Sequence, residues 1–377
     1  MSSEVALVRE VLIHGPISRA ALTGRLDLSP ASLTRLAKPL LDVGILHELQ
    51  ELPSGDVGRP SRPLAINPDL GDFVGIKLTG EQLYAVRTDM HATIQARLDT
   101  ALPDRRPQAV ARAITAAATT LATPRTQGVG LSLGGFPTRG VVHHAPFLGW
   151  REVDLARLLR PALSLPTTIE NDLVALAEFH RWFGVGRSLP GFTVITLGAG
   201  VGYALAANGA VVRTPDAGVG SVGHLPLAPD GPRCAAGHPG CSQALLTSPA
   251  IAARVSAVLG REVSFPEVLA LAAAHQGPAW REVQAAGKAL GTLIAWAANL
   301  THQAVTVVGG EGIGLYPLVA DVVAERLQAL RPPAGDRIAI HLDDSNFFGW
   351  ARAAAVVAIQ EWVLNLPRGT APSHPRP

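Results

Sequence analysis

Cysteine is scarce in this chain of 377 residues, which contains only Cys234 and Cys241. Two cysteines cannot build the disulfide framework of a small secreted protein. The chain also lacks an apolar run of about 20 residues free of charge, proline and glycine, so no membrane span is predicted. Its start, MSSEVALVREVLIHG, has neither the basic residues nor the long apolar core of a signal peptide. We therefore expect a cytoplasmic protein without a membrane partner.

An excess of one charge is lacking too. The sequence has 32 Lys and Arg against 30 Asp and Glu, a net charge of +2, so its overall charge indicates no polyanionic partner. Hydrophobic residues make up 47% of the chain, which is too much for a disordered protein. At about 150 residues per domain, the length predicts two or three domains.

The N-terminal part of the chain predicts three short helices. Apolar residues at helical spacing indicate a first helix over residues 4–14, which the Gly15-Pro16 pair ends. Ser18 is placed to cap a second helix. Ser29 is placed to cap a third, with Pro30 in its first turn.

Two strands are predicted next, over residues 45–52 and 63–66, and the loop between them carries Arg59 and Arg62. Three helices followed by a hairpin with arginines in its loop are typical of a winged helix-turn-helix domain. We assign this all-helical and winged domain to residues 1–70.

A helix-turn-helix domain contacts the major groove with the start of its third helix, and wing arginines suit a narrow minor groove. The predicted partner is double-stranded operator DNA. The residues predicted to contact it are Ser29, Ser32, Thr34, Arg35, Lys38, Arg59 and Arg62. The alternative is a helical module that docks a protein, since residues 1–70 hold seven Lys or Arg against eight Asp or Glu.

Beyond residue 71, apolar strands alternate with helices, which is the pattern of an α/β fold. We assign a first lobe to residues 71–185 together with 345–366. A second lobe takes residues 186–344. The tail, residues 367–377, is rich in proline and is predicted to be disordered.

Several segments follow one another in an order that resembles the ROK family (repressor, open reading frame, kinase). In the body they are GVGLSLGGFPTRG, APFLGW, IENDLVALAE, TLGAGVGYALAANG, GVGSVGHLPLAPDGPRCAAGHPGC and VVGGEG. In the head, SRAALTGRLDLSPASLTRLAKPLLDVGIL followed by GRPSRPLAINP resembles the DNA-binding head of ROK regulators. The resemblance runs from about residue 5 to residue 365. It implies a two-lobed body of the actin and hexokinase fold, in a homodimer or homotetramer.

Kinases of this family open the body with Asp-x-Gly-Gly-Thr, which handles the ATP phosphates and Mg²⁺. In this sequence Lys77 replaces the Asp and Glu81 replaces the Thr. Mg²⁺ would lose a carboxylate, and Glu81 would repel a triphosphate, so we expect no ATP. Residues 196–202 resemble the second phosphate loop, and residues 307–312 resemble the adenosine-side loop. The alternatives are a strand–turn–strand and a helix-entry turn that use glycine for tight geometry.

The resemblance also implies a sugar pocket. In the kinases an Asp acts as the general base and the preceding Asn binds the sugar, and Asn171 and Asp172 match them; both could instead be helix caps. Phe147, Ser221 and Gln243 stand where the family has an Asn and two Glu. The predicted ligand-binding residues are Asn171, Asp172 and His224. A modified sugar, an oligosaccharide or a less polar ligand suits Phe147 better than an ordinary hexose.

Both cysteines lie in a segment similar to the family zinc motif, in which a His lies ten residues before Cys-x-Cys-Gly-x-x-Gly-Cys. His224, Cys234 and Cys241 keep that spacing, but Ala236 replaces the second Cys. Structural Zn²⁺ takes four N or S ligands, and His238 or water could supply the fourth. We predict structural Zn²⁺ at His224, Cys234, Cys241 and His238. The alternative is a remnant turn with two free thiols.

These observations favour a ROK-type transcriptional regulator, most simply a repressor, that is not an enzyme. A sugar-like or modified-sugar effector would control it through closure of the cleft between the lobes. One alternative is a DNA-binding oligomer or scaffold that needs no effector. The other is a sugar kinase with an appended head, which Asp172 and the glycines of residues 198–202 support and which Lys77 and Glu81 oppose.

Overall fold

Serine side chains cap all three helices of the head. In the computed structural model, which describes residues 2–50, 62–214 and 220–366, the head consists of α1 (Ser3–His14), α2 (Arg19–Leu26), α3 (Pro30–Asp42), β1 (Leu46–Glu48) and β2 (Leu64–Ile66). Ser2, Ser18 and Ser29 each accept a hydrogen bond from the backbone N–H three residues further on. The two caps predicted from the sequence, Ser18 and Ser29, are therefore confirmed.

The predicted hairpin is present as a short antiparallel pair of β1 and β2. β1 covers only three residues of the predicted strand 45–52. The loop between the strands, residues 51–61 with Arg59, lies outside the described residues, and so does the predicted tail, residues 367–377.

The first lobe begins with a mixed five-stranded sheet. Its elements in chain order are β3 (Asp72–Leu78), β4 (Gln82–Thr88), β5 (Ile94–Ala101), α4 (Pro107–Leu121), β6 (Thr126–Leu133), β7 (Phe136–Thr138), β8 (Val141–Ala145), β9 (Trp150–Asp154), α5 (Leu155–Leu159), β10 (Thr167–Asn171) and α6 (Asp172–Trp182). The large sheet has the order β10-β6-β3-β4-β5, and β7, β8 and β9 form a smaller one. β3, β6 and β10 are parallel, so their carboxyl ends meet at one edge.

The second lobe contains another five-stranded sheet with helices packed beside it. Its elements are β11 (Phe192–Leu197), β12 (Val201–Ala207), β13 (Ala210–Val211), α7 (Ser242–Leu246), α8 (Ser248–Leu259), α9 (Phe265–Ala272), α10 (Gly277–Thr301), β14 (Val305–Gly309), α11 (Tyr316–Leu330) and β15 (Ala339–Asp343). The sheet order is β13-β12-β11-β14-β15. The long helix α10 buries its apolar face against α11, α9 and α8.

The last helix, α12 (Phe347–Leu364), returns to the first lobe and packs on β3, β4 and β6. Gly75 and Gly130 permit this close approach, because a Cβ at either position would overlap the α12 backbone. Among the described residues, α12 is the one helix long and apolar enough to cross a membrane, and most of it is buried. Its packing on the sheet is that of a core helix.

The head and the body share a hydrophobic cluster. α1 packs on α12, and buried residues of the three head helices belong to the same cluster as those of α12. Where the chain leaves the head, Phe73 meets Trp362 of α12 edge to face, with 6.4 Å between the ring centroids. The head is therefore attached to the body through packed apolar surface in addition to the connecting chain.

Candidate functional site

A cleft of about 720 Å³ lies between the two lobes. On the first lobe it borders the carboxyl ends of β3, β6 and β10, the edge at which open α/β sheets bind ligands. On the second lobe it borders the turn between β11 and β12 and the short helix Ser221–His224. All three predicted ligand-binding residues, Asn171, Asp172 and His224, line this cleft.

Lys77 and Asp172 form an ion pair at the floor of the cleft. Their side chains are only 6% and 13% exposed. The Lys77 ammonium also lies over the Trp350 ring, 5.0 Å from its centroid. The other oxygen of Asp172 accepts a hydrogen bond from its neighbour's backbone N–H, on Leu173, at 2.9 Å. Asp172, the residue that matches the general base of the kinases, is therefore paired with Lys77.

Asn171 serves as the N-cap of α6. Its Oδ1 accepts hydrogen bonds from the N–H groups of Leu173 and Val174, at 2.9 and 3.1 Å, and its Nδ2 donates to the carbonyl of Gly135 at 2.8 Å. The side chain is buried. The helix-cap interpretation of this residue is therefore confirmed, and ligand contact by Asn171 stays a prediction.

The residues that replace the family's sugar contacts also reach the cleft. Phe147, Ser221 and Gln243 all line it, and the Phe147 side chain is 49% exposed. Phe147 lies close to Gly134 of the first lobe, where a Cβ would come within 3.2 Å of its ring. An apolar ring therefore occupies the surface where the family pattern has an amide.

Glu81 does not enter the cleft, which corrects the argument that its charge would repel a triphosphate. Its side chain is 85% exposed and faces Arg105, with 3.8 Å between Oε1 and Nη2. It lines a separate, open depression beside residues 101–106. The turn at Thr79, whose Oγ1 accepts the Glu81 N–H at 3.3 Å, directs the chain outward.

The carboxylate of Glu311 contacts the loop that resembles the second phosphate loop, residues 196–202. Glu311 follows β14, and its Oε1 accepts a hydrogen bond from the backbone N–H of Ala199 at 2.7 Å. Sequence reasoning missed this contact and also the position of Phe347 and Trp350, the start of α12, at the cleft. The aromatic residues had only a helical spacing to identify them, and that spacing is also typical of core residues.

Three of the four predicted metal ligands converge beside the cleft, because ligand atoms of His224, Cys234 and Cys241 all lie within 4.8 Å of one another. The Nδ1 atom of His224 lies 3.7 Å from Cys234 Sγ, 4.0 Å from Cys241 Sγ and 3.1 Å from His238 Nδ1, and Cys234 Sγ lies 3.8 Å from His238 Nδ1. Donors around a tetrahedral Zn²⁺, with bonds of about 2.0–2.3 Å, are separated by roughly 3.3–3.8 Å. His224, Cys234 and Cys241 therefore form a possible three-residue metal group. His238 lies near His224 and Cys234, and its role as the fourth ligand stays a prediction.

The two thiols differ in their surroundings. Desolvation opposes ionisation of Cys234. Hydrogen bonds from the backbone N–H groups of His238, Ala236 and Gly237 and from the Cys241 thiol together outweigh it and lower the pKa of that thiol. Desolvation raises the pKa of Cys241, which is buried. Both cysteines are free, so both sulfur atoms are available as ligands.

We expect the purified protein to contain about one zinc ion per chain, measured by inductively coupled plasma mass spectrometry. Cys241→Ser and His238→Ala should weaken zinc binding at least about ten-fold in chelator competition, because even outer-shell partners contribute 10–100-fold. Ala236→Cys, which restores the family's fourth ligand, should strengthen it. The exposed His91→Ala is the matched control. A wild-type protein that takes up no zinc from a zinc-supplemented buffer would contradict the site.

Most of the described residues that are predicted to contact DNA are exposed on the head. On α3, Leu33, Ala37 and Leu40 face the core, and the opposite side presents Thr34, Arg35 and Lys38 to solvent. Ser29 and Arg62 are exposed as well, and Ser32 is half-buried. The structure brings the α3 residues together and leaves Arg59 outside the described residues.

Hydrogen bonds link the side chains at the start of α3. The Ser29 hydroxyl donates to Ser32 Oγ at 2.9 Å, and Arg35 Nη2 donates to the same oxygen at 3.5 Å. The Thr34 hydroxyl donates to the carbonyl of Pro30 at 2.9 Å. The exposed Arg35 guanidinium therefore lies beside the first turn of the helix.

Comparison with known proteins agrees with this architecture. The chain is 27% identical over 345 residues to transcriptional regulator Mb0495 of Mycobacterium bovis, with 84% of this chain and 76% of the relative covered. It is 24% identical over 328 residues to the DNA-binding transcriptional dual regulator NagC of Escherichia coli, with 82% and 80% covered.

Among solved structures, a ROK family transcriptional regulator homologous to the E. coli MLC protein has a TM-score of 0.78 at 23% identity, with 96% of each chain covered. The ROK hexokinase of Thermus thermophilus has a TM-score of 0.64 at 24% identity and covers 77% of this chain and 98% of its own. The sequence model of the ROK family matches residues 73–348, which is most of the two-lobed body with its cleft. The chain therefore belongs to the ROK family, as its motifs predict.

Proposed function

We propose that this protein is a DNA-binding transcriptional regulator, most simply a repressor, that a sugar-like or modified-sugar effector controls and that has no kinase activity. It would act in the cytoplasm as a homodimer or homotetramer. The head would bind operator DNA, and the cleft between the lobes would bind the effector. The names of the relatives Mb0495 and NagC support regulation of transcription.

The observation that carries this proposal is the exposed surface of α3. Ser29 caps its N-terminus, where the positive end of the helix dipole can face a phosphate. Thr34, Arg35 and Lys38 lie on the side opposite the core. A polar and basic helix surface at the start of the third helix is what a helix-turn-helix domain presents to the major groove. Arg59 and Arg62 would extend this surface as a wing.

The effector proposal rests on the lining of the cleft. Asp172 and His224 offer polar groups, and Phe147 and the half-buried Phe347 offer aromatic surface on which the apolar face of a sugar derivative can pack. Pockets of this kind combine apolar walls with a few polar groups that fix orientation. A volume of about 720 Å³ also leaves room for a ligand with a substituent.

The ion pair between Lys77 and Asp172 argues against phosphoryl transfer. A general base must be free to accept the hydroxyl proton of the sugar, and here the carboxylate of Asp172 is bound to an ammonium. Lys77 also stands where the kinases have a carboxylate for Mg²⁺. A metal-dependent phosphoryl transfer would therefore lack a metal contact and an available base at the same place.

Helix α12 offers a route from the effector to the head. Its first turn, with Phe347 and Trp350, borders the cleft. Its last turns contact Phe73, and α1 of the head packs on the same helix. Closure of the lobes on an effector would shift α12 against the head and change the spacing of two heads in a dimer. That spacing sets the fit to the two half-sites of an operator.

The test is a selection of genomic DNA fragments by the purified full-length protein at near-physiological salt. We expect enrichment of a two-fold symmetric site, because a dimer presents two heads. Candidate sugars and sugar derivatives are then tested for release of this DNA, and sugar-dependent ADP formation is measured in parallel. A folded, monodisperse protein that enriches no site, or that forms ADP above background, would contradict the proposal.

A further inference from the structure

We propose that Glu311 is a built-in anion that closes the Gly198–Gly200 turn to nucleoside phosphates, so that this half of the cleft is reserved for the effector. The inference deepens the proposed function and rests on it, since it concerns the same cleft. Glu311 comes from the segment that resembles the adenosine-side loop of the kinases, and the turn comes from the segment that resembles their second phosphate loop.

The first argument is geometric. The Glu311 carboxylate accepts the N–H of Ala199, at 2.7 Å, in the middle of the turn. The turn itself is closed by a hydrogen bond from the Gly198 N–H to the Gly200 carbonyl at 3.0 Å. A Cβ on Gly198 would overlap the carboxylate of Glu311, so the carboxylate lies directly against the backbone of the turn. The space that a phosphate oxygen would need beside Ala199 is therefore filled.

The second argument is electrostatic. Glycine-rich turns bind phosphates through backbone N–H groups that face an anion, and the N–H of Ala199 already faces one. Among the described residues that line the cleft, Lys77 is the single Lys or Arg, and Asp172 already pairs with it. A diphosphate or triphosphate would meet the charge of Glu311, which is exposed and therefore partly screened by salt. The described residues that line the cleft offer no further Lys or Arg to offset that charge.

The backbone around Glu311 is held beside the turn, although the residue itself is exposed. Gly310 adopts a φ of +94°, and a Cβ there would overlap the carbonyl of Leu197. The N–H of Gly312 donates to the same carbonyl at 2.8 Å. The loop after β14 is therefore tied to the end of β11 on both sides of Glu311. This keeps the Glu311 backbone beside the turn, and the hydrogen bond to the Ala199 N–H places the carboxylate there.

Isothermal titration with MgADP separates this role from that of other carboxylates. Glu311→Ala removes the anion and opens the turn, so it should bind MgADP at least ten-fold more tightly than the wild type. Glu311→Gln keeps the size and the acceptor for Ala199 but removes the charge, so we expect a smaller gain. Glu81→Ala is the matched control, because its exposed carboxylate lies outside the cleft, and it should bind as the wild type does.

Three outcomes would overturn the inference: a wild type that binds MgADP as tightly as Glu311→Ala, a Glu311→Ala variant with no gain, or an equal gain in Glu81→Ala. Thermal unfolding of each variant verifies that it is folded. Binding to selected operator DNA, measured on the same preparations by fluorescence anisotropy, reports on the proposed function separately. A gain of MgADP binding in a protein that binds no DNA would support closure by Glu311 and reject the regulator.

Discussion

Replacing Lys77 by methionine is expected to lower the free energy of unfolding by about 1–3 kcal/mol. Methionine keeps the length of the side chain and its apolar stem, but it leaves the carboxylate of Asp172 with no cation. That carboxylate is mostly shielded from water. Removing one partner of a fully buried ion pair lowers the free energy of unfolding by roughly 3–5 kcal/mol. We expect a smaller loss here because the pair borders a cleft that water enters.

Urea unfolding followed by tryptophan fluorescence measures the effect, and Trp350 beside Lys77 provides a local signal. The three lysines of the chain are Lys38, Lys77 and Lys288, and exposed Lys288→Met on α10 is the matched control, expected within about 0.5 kcal/mol of the wild type. Asp172→Asn should also destabilise the protein. The double variant Lys77→Met/Asp172→Asn should be less destabilised than the sum of the two single changes.

The outcome bears directly on function. Additive effects in the double variant would mean that the two side chains do not interact, and Asp172 would then be free to act as a base. The sugar kinase alternative would then again have Asp172 as a general base. A coupling of the expected sign instead supports a cleft in which Asp172 and Lys77 neutralise each other until a ligand hydrogen-bonds to one of them.

Local sequence signals predict the head and many body elements well. The serines that cap α2 and α3 and the proline in the first turn of α3 appear as predicted. These signals work because a cap or an apolar period involves only residues within one or two helical turns. Some elements escaped them, among them α9, α11 and β15. β15 is an edge strand with mostly exposed or half-buried side chains, so it has little apolar pattern to detect.

The contacts that define the cleft are harder to predict because they join distant parts of the chain. Lys77 and Asp172 are 95 residues apart, and Ala199 and Glu311 are 112 residues apart. The sequence identified Lys77 as a departure from the family pattern, but only the fold shows which side chain it pairs with. The expectation for Glu81 was wrong for a related reason. Its distance along the chain from Lys77 is short, yet the turn after β3 carries it out of the cleft.

Replacing Arg35 by alanine is expected to weaken binding to the selected operator by about 1–3 kcal/mol, or roughly 5- to 150-fold, if its guanidinium contacts a guanine. The Arg35 guanidinium is exposed at the start of α3, with its Nη2 3.5 Å from Ser32 Oγ, so it is accessible to a base edge. The loss should be confined to the specific site and relax the preference for one base pair in each half-site.

Lys38→Ala provides the contrast, because a flexible ammonium that contacts a phosphate carries no sequence information. It should weaken specific and non-specific binding about equally and reduce the slope of log affinity against log salt by about 1. Arg112→Ala, an exposed arginine on α4 of the body, should change neither. Fluorescence anisotropy with the selected site and a scrambled site at several salt concentrations measures all three variants.

An Arg35→Ala protein with unchanged operator affinity would show that Arg35 is not part of the interface. Equal losses on both DNAs would make Arg35 a phosphate contact, and base recognition would then fall to Ser32, Thr34 or the wing.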